Sequence, residues 1–252
     1  MITLLSTDNN LNQQSIQMED EEGGPKYKFV TENGEVKDTS RGYTGSATVT
    51  YPNNDIYEGY FQNGIRDGKG EYRYAANGDK YSGEWKANFR HGIGTMIYNG
   101  KGTYQGYWEN GRRHGEGMFT YPNGDIYSGW WRFGNKEGTG SYLNKTTGMK
   151  LYGQWAEGEM KTGRWIYPNG TYYEGEFVGN KPNGAGTWYF KNGNEMHGSY
   201  EQKAKGEGEE EEPEEEPEEE GGEVVKKNKV QLIWHAKTEI AAAAHHVNSV
   251  QQ

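Results

Sequence analysis

The sequence predicts an all-β chain: an elongated single-layer antiparallel sheet of stacked β-hairpins, with flanks that are disordered or take order from a partner. Three observations carry this. A tyrosine, a glycine and a bulky aromatic recur as Y-x-G-x-W, with lead positions at 57, 81, 104, 127, 151, 173 and 196, steps of 22 to 24 residues. A G-x-G pair follows the bulky aromatic seven and nine residues on, as in Gly68/Gly70, Gly92/Gly94, Gly115/Gly117, Gly138/Gly140 and Gly184/Gly186. Turn residues such as Pro122-Asn123-Gly124-Asp125 and Pro168-Asn169-Gly170 separate the units. A fixed period of this length marks a repeat array and not a globule with one closed core.

In a strand, residues i, i+2 and i+4 share a face, so the Tyr, Gly and Trp of each segment point the same way. The residues between them, such as Ser82/Glu84 and Glu174/Glu176, are mostly polar, so one face is aromatic and the other wet. A second strand is expected to start at the latter Gly of each G-x-G pair, with larger residues on the same face, as in Gly117-Phe119-Tyr121. Turns of the Asn-Gly kind supply the positive φ that tight hairpins need. Glycine inside a strand weakens it unless a neighbouring ring uses the bare backbone. No hairpin covers its own aromatic face, so each unit depends on its neighbours, and seven two-stranded units make a ribbon about 65 to 70 Å long.

Composition agrees. The 252 residues include 39 Gly, 20 Tyr and 8 Trp but only 31% hydrophobic residues, so apolar burial rests on rings. The absence of cysteine excludes disulfides and thiolate chemistry and points to a reducing compartment. The opening Met1 to Leu5 has no basic n-region, and no apolar run approaches the roughly 18 residues of a membrane span, so a soluble intracellular protein is expected. The formal charge of −10 is unevenly placed. Residues 41 to 200 carry 18 Lys/Arg against 15 Asp/Glu, whereas residues 201 to 223 carry 2 against 13. Four segments follow: a mostly irregular N-terminal extension (1–42), the repeat array (43–200), an acidic Glu-rich linker (201–223) that repels itself, and a C-terminal docking tail (224–252).

The run Tyr104-Gln105-Gly106-Tyr107-Trp108-Glu109-Asn110-Gly111-Arg112-Arg113-His114-Gly115-Glu116-Gly117 resembles the MORN repeat, and the resemblance covers about residues 43 to 200. Leu151 departs from it in place of the lead tyrosine, and Lys161-Thr162-Gly163 lacks the first Gly of its pair. Repeats followed by a Glu-rich run and a short tail with Trp234-His235-Ala236-Lys237 are similar to radial spoke head proteins of motile cilia and flagella. That resemblance implies a structural part of the spoke head in the axoneme. It also implies other radial spoke head proteins as partners within a multi-protein complex, and a contribution to the regulation of motility.

No catalytic, metal or cofactor site is expected. His91 and His114 precede G-x-G in adjacent repeats, but Asp67, Glu137 and Asn183 stand there in others, and a metal needs a fixed ligand set. The glycine pairs lead into strands and not into the helix that a dinucleotide loop requires. No nucleophile elbow or P-loop is present. Nucleic acid is not an expected partner, since the array is nearly neutral and the Glu run repels phosphate.

Two sets of residues are expected to meet partners. Tyr57, Tyr81, Trp85, Tyr104, Trp108, Tyr127, Trp131, Trp155 and Phe177 would line one continuous aromatic groove, because a single sheet has no second layer to cover it. Leu232, Ile233 and Trp234 would form a tail motif that folds on a partner. A peripheral membrane adaptor is the alternative, reading anionic phospholipid through Lys86, Arg90, Arg112, Arg113 and Arg132. A targeting module for an enzyme on another chain is a further one, and self-association stays open.

Overall fold

The computed structural model describes residues 26–204 and 230–241, with the backbone alone described for residues 238–241. Strands β1 (Lys28–Thr31), β2 (Val36–Lys37) and β3 (Gly45–Thr50) open the chain. Six hairpins follow: β4 (Ile56–Gln62) with β5 (Ile65–Arg73), β6 (Lys80–Lys86) with β7 (Phe89–Tyr98), β8 (Gly102–Glu109) with β9 (Arg112–Thr120), β10 (Ile126–Arg132) with β11 (Asn135–Leu143), β12 (Lys150–Ala156) with β13 (Glu159–Ile166), and β14 (Tyr172–Val178) with β15 (Lys181–Tyr189). Strands β16 (Glu195–Ala204) and β17 (Val230–Ala241) close it.

All seventeen strands lie in one antiparallel sheet, and the described residues contain no helix. β2 forms one edge beside β1, β1 pairs with β3, and every later strand pairs with the next in sequence order. The all-β single-layer ribbon of stacked hairpins expected from the repeat is the fold observed.

Each hairpin closes on a tight turn with two consecutive left-handed residues, for example Asn63 (φ 51°) and Gly64 (φ 85°), or Asn110 (φ 50°) and Gly111 (φ 78°). That geometry matches the strand twist, which is why Asn and Gly recur there. Each such turn also bonds to the one before it: Gly111 N–H donates to Arg90 O, and Gly134 N–H to Arg113 O, both at 3.0 Å. Repeats are thereby joined along the turn edge as well as through the ladders.

The second strand of each hairpin begins earlier than the glycine spacing suggests. β5 starts at Ile65 and not at Gly70, and the first Gly of the pair sits in a β-bulge with positive φ, +80° at Gly68 and +63° at Gly115. Turn and bulge consume the seven residues that read as a loop. Within the N-terminal extension, β1 and β2 join the sheet. Phe29 on β1 is fully buried and meets Phe61 at 5.1 Å, capping the first repeat. At the other end β17 pairs with β16 across Tyr200↔Trp234, so part of the tail is built into the sheet.

Candidate functional site

The nine groove residues do come together on one face, but they do not stand open. Each of Tyr57, Tyr81, Trp85, Tyr104, Trp108, Tyr127, Trp131, Trp155 and Phe177 is at most 5% exposed. The uncovered ring surface expected from a single-layer sheet is therefore absent, for three physical reasons.

First, the rings cover each other. Tyr104 meets Trp108 of its own repeat and Trp131 of the next, both edge to face at 5.2 Å, and Tyr81 and Tyr127 repeat the pattern with Trp85/Trp108 and Trp131/Trp155. Such pairs add about 0.5–1.5 kcal/mol each beyond area burial.

Second, the rings spend their polar atoms on the backbone. The indole N–H of Trp85, Trp108, Trp131 and Trp155 donates to the carbonyl of Gly70, Gly94, Gly117 and Gly140 at 3.1–3.2 Å. Tyr104 Oη donates to the Tyr107 carbonyl at 2.9 Å, beside the bulge that releases that carbonyl from the ladder. The tyrosine ring lies across the glycine pair, and a methyl added at Gly117 would collide with Tyr104 Oη. This contact accounts for both glycines of the pair, Gly106 and Gly117, whose backbones approach each other under the ring. Burial holds the phenols of Tyr57, Tyr81 and Tyr104 far above their ordinary range.

Third, a basic side chain closes four successive rungs. Arg66, Arg90 and Arg113 lie 4.6, 4.5 and 4.4 Å from the rings of Trp85, Trp108 and Trp131, and Lys136 lies 5.5 Å from Trp155. Arg90 and Arg113 also donate to the carbonyls of Gly111 and Gly134, one turn on, at 2.8 and 2.7 Å. Sequence reading placed Arg90 and Arg113 among exposed basic turns. In the fold they face inward, and of that set Lys86, Arg112 and Arg132 remain exposed. The signal that separates the groups is periodic: the inward cation stands five residues after Phe61, Trp85, Trp108 and Trp131.

A second missed row is acidic. Asp55, Asp79 and Asp125, two residues before the lead tyrosine, are only 2–7% exposed. A buried carboxylate needs hydrogen-bond donors. Asp125 Oδ1 accepts from Lys145 N–H at 2.7 Å, and Oδ2 from Tyr142 Oη at 2.6 Å, tying its turn to the next. Asp55 takes Ala75 N–H and Tyr72 Oη in the same way.

The departures at Leu151 and Thr162 are repaired locally. Met160, fully buried, occupies the rung that Arg113 and Lys136 hold elsewhere, and its methyl lies over Gly153 and Gly163 where a tyrosine ring would lie. Beyond it the ring stack resumes at Tyr173, which Trp188, Tyr200 and Trp234 surround at 5.2–6.1 Å. Of the tail motif, Leu232, Ile233 and Trp234 are half-buried on β17, and Trp234 seats over Gly198 and against Tyr200 at 4.9 Å. The structure places this motif against the chain's own last repeat.

The opposite, wet face holds an open trough of about 1220 Å³ across β12 to β17, with Gln154, Arg164, Glu174, Thr187 and His197 on its floor. Arg164 and Glu174 pair at 3.1 Å there. Among the described residues no group of three His, Cys, Asp or Glu side chains is placed to hold a metal, and His114 is engaged by Glu109 at 3.4 Å. No helix among them is long and apolar enough to cross a membrane.

Fold and ring ladder together define a non-globular repeat ribbon whose recurring aromatic and glycine positions hold the repeats to one another. The MORN repeat family model matches residues 57–78, 81–103, 104–126 and 173–195. A curated relative, "Radial spoke head 1 homolog" of Cyprinus carpio, is 42% identical over 71 residues. That match covers 27% of this chain, which spans about a third (32%) of the relative's length. Among solved structures, the SAS-4 (dCPAP) TCP domain of Drosophila melanogaster, in complex with a proline rich motif of Ana2, aligns at 18% identity with a TM-score of 0.39. It covers 61% of this chain and 83% of its own. The TCP10 domain of Danio rerio CPAP with a peptide of STIL gives 11% identity and a TM-score of 0.36, over 60% of this chain and 72% of its own. Scores this low carry no argument about this chain.

Proposed function

We propose that this chain is a non-enzymatic structural scaffold of the axonemal radial spoke head, holding other spoke head proteins in place and so contributing to the regulation of ciliary motility. The observation that carries the reading is the coupling between repeats. Rings, glycines and inward cations are engaged by neighbouring repeats, which suits a stiff strut under repeated load. Likeness to a radial spoke head 1 homolog over its matched stretch supports the setting.

On the ring face the nine core aromatics are covered, so a partner lying along that face meets the half-buried outer rings, such as Tyr72, Tyr74, Trp165 and Trp188. The core rings then act from beneath by fixing that row. β17 caps the last repeat by pairing with β16.

The test is localisation followed by purification. A tagged chain in motile ciliated cells is expected along the axoneme, and to co-purify with spoke head proteins after salt extraction. A cortical or plasma membrane pattern, abolished by substituting Lys86, Arg112 and Arg132, would move the assignment to a lipid-binding adaptor.

A further inference from the structure

The wet face carries aromatics that the core does not use. Trp130 is 50% exposed, Tyr107 is 49% and Ile93 is 56%. The pairing registers place them in one row: Ile93 opposite Tyr107, and Trp130 opposite Glu116 on one side and Glu137 on the other. Trp130 and Tyr107 begin over the bulge glycines Gly138 and Gly115, and the rest of each ring projects outward.

The charges around this row have one sign. From β6 to β11 the wet-face positions level with these rings hold Glu84, Glu116 and Glu137 and no Lys or Arg, while the cations Lys86, Arg112 and Arg132 sit out at the turns. Among the described residues Glu116 and Glu137 have no ion-pair or hydrogen-bond partner, and no cation lies over Trp130. Inside the ribbon the contrast is plain, since Trp85, Trp108 and Trp131 each carry a guanidinium on the ring face.

We infer that Trp130, flanked by Glu116 and Glu137, is a docking point on the wet face for an arginine-bearing extended segment of a partner protein. A guanidinium stacks on an indole and takes a carboxylate in its plane, so an indole between two carboxylates suits it from both sides. Tyr107 and Ile93, on the strands beyond, offer apolar surface to the side chains next along such a segment. The chain's own Glu-rich run has the wrong sign to occupy the site. The inference goes beyond the spoke head reading by naming the partner's chemistry, and it holds or fails whatever complex the chain joins.

The test uses the full chain labelled with 5-fluorotryptophan, the Trp130 resonance being the one lost in W130F. A short capped peptide of alternating arginine and glycine is the probe. It should shift the Trp130 resonance saturably, with the shift weakening as salt rises. The E116Q/E137Q double variant should bind roughly tenfold more weakly at that resonance, while the resonances of Trp108 and Trp131 report an unchanged fold. The peptide also meets the Glu-rich run, so only the site-resolved signal counts. A Trp130 shift no larger than a serine–glycine peptide gives, an equal shift in the double variant, or an equal response to a glutamate–glycine peptide overturns the inference. Failure here leaves axonemal localisation untouched, so the two readings fall separately.

Discussion

The guanidinium of Arg113 lies 4.4 Å from the ring of Trp131 in the next repeat, and its Nη2 donates to the Gly134 carbonyl one turn further on at 2.7 Å. One side chain thus spans two hairpins, and its 7% exposure makes both contacts dry. Replacing it with Ala removes a desolvated cation–π contact and leaves a turn carbonyl short of a donor. The expected loss is about 2–3 kcal/mol in chemical denaturation. Arg113→Lys should lose less, because Lys136 serves the equivalent rung against Trp155.

Gly117 has no room for a methyl group: an added Cβ would run into the Tyr104 ring and hydroxyl. Gly117→Ala should therefore cost about 2–3 kcal/mol, the scale of overpacking in a tight interior. Gly100, where an added Cβ meets nothing within 4 Å, serves as a contrast on space alone, since its φ of +74° strains Ala there too. A denaturation midpoint for G117A no lower than for G100A would contradict this packing.

Phe133 occupies a left-handed turn position at φ 50° where Asn63 and Asn110 stand in other repeats. A bulky side chain there costs about 1–2 kcal/mol in backbone strain. Its ring recovers part of that against His114 at 5.5 Å. Phe133→Asn should raise stability by about 0.5–1 kcal/mol, read as a higher melting temperature.

Burial raises the phenols of Tyr57, Tyr81 and Tyr104 well above their ordinary value and pushes Tyr173 up to about 12. The folded chain thus keeps protons that the unfolded chain gives up near pH 10. Their contribution is fully present below about pH 10 and is lost as pH climbs through the folded values. Denaturation midpoints should fall steeply above about pH 10, with phenolate absorbance appearing together with unfolding. Early phenolate absorbance in a chain that is still folded would mark these hydroxyls as open.

Trp234 closes the stack at its C-terminal end, against Tyr200 and over Gly198. In a ribbon whose repeats contact only their neighbours, damage stays local. Trp234→Ala should therefore speed amide exchange in β16 and β17 and leave β7 to β10 unchanged. Uniform acceleration along the chain would argue for a single cooperative core.

The period of Tyr, Gly and Trp made the hairpin stack legible, because strand alternation turns spacing into facing. What spacing alone did not convey was how a single layer closes over its own rings. Edge-to-face packing between repeats, as in Tyr104 with Trp131, needs the twist and the bulge, and neither is written as a residue type. Composition alone does not part Arg113 from its exposed neighbour Arg112; the five-residue step from Trp108 does, because it sets Arg113 opposite that ring in the ladder. Trp234 looked like a free motif because a Glu-rich stretch separates it from the array. Its partner on β16 is remote in sequence and takes the ring through a bare Gly198.

The central claim is that the repeat tryptophans are internal, each locked to a glycine carbonyl of the repeat before. Hydrogen exchange of the indole N–H groups reads this directly. Trp85, Trp108, Trp131 and Trp155 should be strongly protected, whereas Trp130, half exposed, should exchange fast. Exchange of all five at one fast rate would mean that the rings line an open surface, and the account of a self-covered ribbon would be wrong.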